Sequence, residues 1–169
     1  MSTIVTKAHE LILGSLNKDI AVDATCGNGY DTLFLLEHFK IVYAFDIQEL
    51  AIKRTRAKTE GFENLYLIND DFKRINQYVK EADAIMFNLG YLPGSDRKVR
   101  TFAHNSFEAI LKAYEILNSG GIMTTACYTG HEGGLEEFKK IKEALNSKGI
   151  TYNIYDEFQN RDFLIEIRK

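Results

Sequence analysis

The chain has 169 residues, enough for one domain with a three-layer core, and its 45% apolar and 27% charged residues are those of a globular protein. A net charge of -3 and a pI of 5.8 exclude a broad nonspecific nucleic-acid surface, which depends on many cationic contacts to phosphates, but leave room for a small RNA footprint. No apolar run approaches the roughly 20 residues that span a bilayer, and Lys7, His9 and Glu10 interrupt the stretch a signal peptide would keep apolar, so a cytoplasmic protein with no membrane partner is expected.

Ala8, Leu11, Ile12, Ser15 and Leu16 recur at helical spacing and predict an opening amphipathic helix packed on a sheet, with His9 as a packing residue. Strands are then expected near 20–24, 41–45, 64–68, 82–87, 121–127, 150–155 and 162–167. Helices are expected near 30–39, 48–59, 103–118 and 132–148. Phe107, Ile110, Leu111, Tyr114 and Leu117 mark the buried stripe of the third of these helices, and Leu135, Phe138, Ile141 and Leu145 that of the last. Such alternation gives a Rossmann-like, mostly parallel seven-stranded sheet covered on both faces. The link from Asp156 to Arg161 is too short for a parallel crossover, so the last two strands pair antiparallel. No repeat or linker divides the chain, which reads as a single domain over 1–169. Cys26 and Cys127 follow different strands without metal-ligand spacing and read as packed thiols, with no metal site.

The densest signal is Val-Asp-Ala-Thr-Cys-Gly-Asn-Gly-Tyr-Asp-Thr at residues 22–32, an apolar strand running into an acid and a glycine loop that opens a helix. A dinucleotide loop needs a third glycine for close approach to a pyrophosphate, and Thr32 stands there after Gly27 and Gly29. Asp23 would repel a pyrophosphate but could pair with the cationic amino group of an amino-acid tail. The loop therefore suits S-adenosylmethionine better than NAD. Asp46 closes the second strand at the position of a ribose-binding acid, with Ile47 and Gln48 beside the adenosine. After the third strand, Asp71 could accept from the adenine amino group while Phe72 lies against the ring.

Ligands of open α/β sheets bind beyond the carboxyl ends of the strands, so Asn88-Leu89-Gly90-Tyr91-Leu92-Pro93-Gly94-Ser95-Asp96 should face the reacting end. The side-chain oxygen of Asn88, with nearby carbonyls, can accept from a substrate amine and aim its lone pair at a methyl group; a turn-capping role is the alternative. Tyr91 either stacks on a base or packs under the loop. Asp96 either receives a proton or pairs with Arg97 or Arg100. Arg97, Lys98 and Arg100 are candidate phosphate contacts, whereas the run Lys53, Arg54, Arg56 and Lys58 reads as a solvated helix face. His131, in Tyr-Thr-Gly-His-Glu-Gly-Gly, lies near the same rim, where it contacts substrate or assists proton removal, or simply starts a helix. Asn160 and Arg161 lie on the final hairpin.

Asp-Ala-Thr-Cys-Gly-Asn-Gly-Tyr-Asp-Thr-Leu-Phe-Leu, Ala-Phe-Asp-Ile-Gln, Phe-Asn-Leu-Gly-Tyr-Leu-Pro-Gly-Ser-Asp and Tyr-Thr-Gly-His-Glu-Gly-Gly together resemble a bacterial family of small class I methyltransferases. That family was long labelled rRNA methylases and is associated with tRNA wobble-uridine modification. The resemblance covers nearly the whole chain. It implies methylation by S-adenosylmethionine of the amine of 5-aminomethyl-2-thiouridine in the tRNA anticodon stem-loop. It further implies that Asp23, Thr25, Gly27, Asn28, Gly29, Asp31, Thr32, Asp46, Gln48 and Asp71 bind cofactor. Asn88, Tyr91, Gly94 and Asp96 would shape the acceptor pocket, with Thr101 and His131 nearby. Tyr30 replaces a histidine found in many relatives, and Arg161-Asp162 replaces a Pro-Pro pair, which alters the rim rather than the cofactor half. Competing expectations are an rRNA or small-molecule N- or O-methyltransferase, a non-catalytic nucleotide-binding module and, last, an NAD oxidoreductase. A homodimer would enlarge the small RNA surface.

Overall fold

A computed structural model describes residues 3–90 and 105–169 of the chain. The first helix, α1 (Ile4–Ile12), is capped by the Thr3 hydroxyl, which accepts from the Thr6 N–H at 3.1 Å, and it buries Ile4, Ala8, Leu11 and Ile12. The helix stops earlier than the spacing predicts. The N–H groups of Gly14 and Ser15 bond back to Leu11 and Ile12, closing a turn. Leu16 therefore leaves the buried stripe and is 81% exposed, bonded through its backbone to Gly120.

Strands β1 (Ile20–Asp23), β2 (Ile41–Phe45), β3 (Leu65–Ile68), β4 (Ala82–Leu89), β5 (Leu117–Cys127), β6 (Asn153–Tyr155) and β7 (Phe163–Arg168) form one sheet in the order β3-β2-β1-β4-β5-β7-β6. The first five are parallel, and β7 runs antiparallel to both β5 and β6. The single reversed strand and the seven-stranded Rossmann-like sheet agree with the pattern of alternation. Helices α2 (Tyr30–His38), α3 (Glu49–Lys58), α5 (Ser106–Ile116) and α6 (Gly134–Ser147) fall within three residues of the expected bounds. A 3-10 turn at Phe72–Arg74 running into α4 (Ile75–Tyr78) was not expected, because four helical residues carry too little periodicity to register.

Strand alternation splits the core in two. Ala21, Ala84 and Ala126 point to the face covered by Ile4, Ala8, Leu11 and Ile12 of α1 and by Leu35 of α2. Val22, Ile85, Phe87, Met123 and Ile165 point to the face covered by Ile110 and Ala113 of α5 and by Phe138, Ile141 and Leu145 of α6. The small alanines of β1, β4 and β5 let α1 lie close to the sheet. Two expected core positions shift: Leu117 is buried as the first residue of β5 rather than the end of α5, and Leu135 is 45% exposed on the first turn of α6. Strand β4 runs two residues beyond expectation and carries Asn88 in register with Ala126.

Candidate active site

The glycine loop lies between β1 and α2, tied to the strands on either side. The Ala24 N–H donates to the Met86 carbonyl and the Cys26 N–H to the Phe45 carbonyl, both at 2.8 Å. Gly29 caps α2 in the left-handed region at φ +82, and a Cβ there would stand 2.9 Å from the Thr55 Cα of α3. Only glycine combines that backbone with that close approach.

Asp23 sits beneath this loop, entirely buried, with the Thr32 hydroxyl donating to its Oδ2 at 2.6 Å and the Thr25 N–H to its Oδ1 at 3.1 Å. Asp23, expected to pair with an amino group, accepts one bond on each oxygen inside the protein, and the equally buried Thr32 donates its hydroxyl hydrogen to Asp23; each carboxylate oxygen keeps a further acceptor site. Both shape the loop from below. Burial, with the nearby Asp31 carboxylate, pushes the Asp23 pKa up to about 8 against the two hydrogen bonds.

Asp46 is more accessible. Its Oδ2 accepts from the Gly27 N–H and its Oδ1 from the Gln48 N–H, each at 3.0 Å, which fixes the carboxylate at the loop mouth. Burial raises its pKa and these N–H groups oppose the rise. Ile47 is exposed beside it, while the Asn69 amide donates to the Asp46 and Ile47 carbonyls. The Asp71 carboxylate caps the 3-10 turn through the Lys73 N–H. Its neighbour Asp70 turns away to the Tyr78 hydroxyl and Arg74. Phe72 packs edge-on against Phe87 at 5.8 Å and is half-buried. Asn28 accepts from Arg54 at 3.1 Å, and Lys58 lies 3.7 Å over the exposed Tyr30 ring, so part of the basic run on α3 is bound to the loop rather than merely solvated.

Asn88 is fixed from two sides. Its backbone N–H donates to the Thr25 hydroxyl at 2.7 Å, joining the end of β4 to the glycine loop, and its side-chain N–H donates to Asp31 Oδ2 at 3.4 Å. Its Oδ1 lies 4.0 Å from the point a Gly90 Cβ would occupy, so the amide oxygen faces Gly90. Both residues line a cleft of about 810 Å³ with Tyr128, Gly130, His131, Asn160, Arg161 and Asp162. The Asp162 carboxylate accepts from the Thr129 N–H at 3.0 Å and the Thr129 hydroxyl donates to the Arg161 carbonyl at 2.7 Å, so the loop after β5 and the turn before β7 form one wall. Asn160 and Arg161 hold φ of 64 and 57, uncommon for non-glycine residues and maintained by that wall. His131 Nδ1 donates to the Glu132 carbonyl at 3.1 Å.

Two residues of the site had no clear signal in the sequence. His9 of α1, expected only to pack, donates from Nε2 to Asp31 Oδ1 at 2.6 Å. Tyr128, read only as part of a loop, hydrogen-bonds the Asn88 side chain, and burial holds its phenol up at about 12. Tyr91, Gly94, Asp96, Arg97, Lys98, Arg100 and Thr101 lie outside the described residues. Among the described residues there is no cluster of metal-ligating side chains, and no helix is long and apolar enough to cross a membrane.

The sequence of one family, described as "Putative rRNA methylase", matches residues 42–162. The chain belongs to that family. Solved structures resembling this methylase-family chain include one described as a putative rRNA-methylase from Clostridium thermocellum, at 34% identity and TM-score 0.88, covering 100% of this chain and 98% of that one. Another is described as a putative methyltransferase from Streptococcus mutans in complex with SAH, at 34% identity and TM-score 0.83, covering 99% and 98%. With these rRNA methylase-like neighbours the fold is that of class I methyltransferases. A curated relative, the chloroplastic tRNA (mnm(5)s(2)U34)-methyltransferase of Arabidopsis thaliana, is 35% identical over 141 residues, 73% of this chain; the chain spans about half (52%) of that protein's length.

Proposed function

We propose that the protein is an S-adenosylmethionine-dependent N-methyltransferase acting on the amine of 5-aminomethyl-(2-thio)uridine at the tRNA wobble position, with the anticodon stem-loop as its partner. The observation that carries this reading is Asn88, pinned to the glycine loop through Thr25 and turning its amide oxygen toward a cleft. The name of the Arabidopsis relative supports it, and that of the family supports methyl transfer to RNA.

The residues fit the cofactor. The left-handed glycine cradle, the fixed Asp46 carboxylate and Asp71 at successive strand ends provide acceptors for hydroxyl and amino groups. S-adenosylmethionine supplies an already activated methyl group, so what remains for the protein is placement. Asn88 Oδ1 accepts one N–H of the substrate amine and thereby directs the nitrogen lone pair. The Tyr128 ring beside Gly90 walls the cleft, and His131 stands at its rim. Arg97, Lys98 and Arg100 contact phosphates of the stem-loop, and a second copy of the chain adds RNA surface.

An alkylammonium has an unperturbed pKa of about 10, and only its neutral form has a lone pair. The single-turnover rate should therefore rise between pH 6 and 9 until the bound amine is neutral; a flat profile would count against amine methylation. The decisive test is transfer of labelled methyl from S-adenosylmethionine to tRNA carrying 5-aminomethyl-2-thiouridine, read by nucleoside mass spectrometry. A methylaminomethyl nucleoside at the wobble position establishes the reaction. Transfer only to ribosomal RNA would favour the second reading, suggested by 34% identity over 96 residues to ribosomal RNA small subunit methyltransferase A of Mesomycoplasma hyopneumoniae.

A further inference from the structure

We infer that His9 is a positioning residue for the acceptor site, acting through Asp31 to hold Asn88 with its amide oxygen toward the cleft. The inference deepens the proposed function and rests on it for the identity of the acceptor, but the positioning itself can be read without any acceptor.

A side-chain amide has two ends of nearly equal size and opposite hydrogen-bonding character. An asparagine that must accept from an amine needs something to keep its NH2 end away. Asp31 does this, because a carboxylate only accepts: its Oδ2 takes the Asn88 Nδ2–H at 3.4 Å, while its Oδ1 takes the His9 Nε2–H at 2.6 Å. The longer bond is the weaker of the two, so the geometry of Asn88 depends on how firmly Asp31 is held, alongside the bond Asn88 makes with Tyr128.

His9 is itself immobilised. Its ring stacks on Phe34 of α2 at 3.8 Å between centroids and 1° between planes. The result is a chain from α1 to α2 to β4, His9–Asp31–Asn88, that ends on Oδ1 at the cleft. Packing alone does not account for it. The buried stripe of α1 is Ile4, Ala8, Leu11 and Ile12, and His9 lies off that stripe, half-buried, with its ring edge directed at Asp31. Were His9 there only to cover Phe34, a phenylalanine would serve equally well.

That contrast defines the test. His9→Phe keeps a flat ring over Phe34 and removes the donor, whereas His9→Gln gives up the stack but places an amide N–H about where Nε2 stands. Both variants should bind S-adenosylhomocysteine by calorimetry as the parent does, which also verifies folding. The first readout is NMR of the Asn88 side-chain NH2, assigned through Asn88→Ala. It should be sharp and slow to exchange in the parent and in His9→Gln, and broadened or fast-exchanging in His9→Phe. The second readout is single-turnover methyl transfer to the aminomethyluridine stem-loop, expected to fall about tenfold in His9→Phe with KM little changed and to recover in His9→Gln. An unaltered Asn88 signal in His9→Phe overturns the positioning role, as does a rate loss that adds in full to that of Asn88→Ala in the double variant. If the NMR contrast appears but the parent methylates no such RNA, the positioning stands and the proposed acceptor falls.

Discussion

Asp46 holds the Gly27 and Gln48 N–H groups with separate oxygens, so shortening it removes the fastening of the loop mouth and, on the proposed reading, a cofactor acceptor. Asp46→Ala should weaken S-adenosylhomocysteine binding by at least about tenfold in calorimetry, roughly the loss of one charge-assisted hydrogen bond. Asn88→Ala should leave that affinity nearly intact and suppress turnover, as expected for a group that acts on the acceptor. Equal loss of affinity in both variants would place Asn88 on the cofactor side. Gly29→Ala meets the Thr55 backbone at a left-handed φ and should cost about 1–3 kcal/mol in denaturant unfolding. The placement of these residues at the strand ends was legible because the order of strand, acid and glycine is a local pattern. The partners of His9 were not. Asp31 lies 22 positions away in the chain and Asn88 further still, and no local spacing distinguishes a histidine directed at a carboxylate from one on a helix flank.

Between elements, the first turns of α5 and α6 are joined by the Ser106 hydroxyl, which donates to Glu137 at 2.7 Å. Glu137 is buried, and desolvation raises its pKa to about 7 despite that bond and the Lys140 charge. Because the unfolded chain releases this proton near the ordinary glutamate value and the folded chain only near 7, the folded state binds the extra proton between those pH values. Stability should thus decline as pH rises through that window and level off above about 7, by a few kcal/mol at most. The raised pKa of the buried Asp23 gives a slope of the same sign, reaching higher pH. Glu137→Gln should flatten the lower part of the profile in thermal melts at pH 5 to 8; an unchanged profile would show that Glu137 titrates normally. Helix and strand identity followed from periodicity, while the ends did not. Leu16 and Leu135 fit the apolar stripes by spacing, yet one lies past a turn and the other on an outward-facing first turn. Periodicity reports the face of a helix and not where the helix ends.

For the molecule as a whole, alternation of strand and helix with a short final link was enough to indicate a parallel sheet with one reversed strand, because few topologies satisfy right-handed crossovers. It did not give the order that inserts β7 between β5 and β6. That order brings the turn before β7 against the loop after β5 and so builds the cleft wall. A net charge of -3 opposes a long RNA track. Stem-loop binding should accordingly show a shallow salt dependence, with a log–log slope of about -2 to -3 for roughly three phosphate contacts. Replacing Arg97, Lys98 and Arg100 together by Ala should flatten it; an unaltered slope would move the contacts elsewhere. The 2.7 Å bond from the Asn88 N–H to the Thr25 hydroxyl has one more consequence. It makes the glycine loop, proposed to hold the cofactor, and the edge of the cleft, proposed to take the acceptor, a single mechanical piece, so occupancy of either should be felt as affinity at the other. By reciprocity, whatever factor S-adenosylhomocysteine adds to RNA binding, RNA must return to S-adenosylhomocysteine, and Thr25→Val should bring both factors toward one.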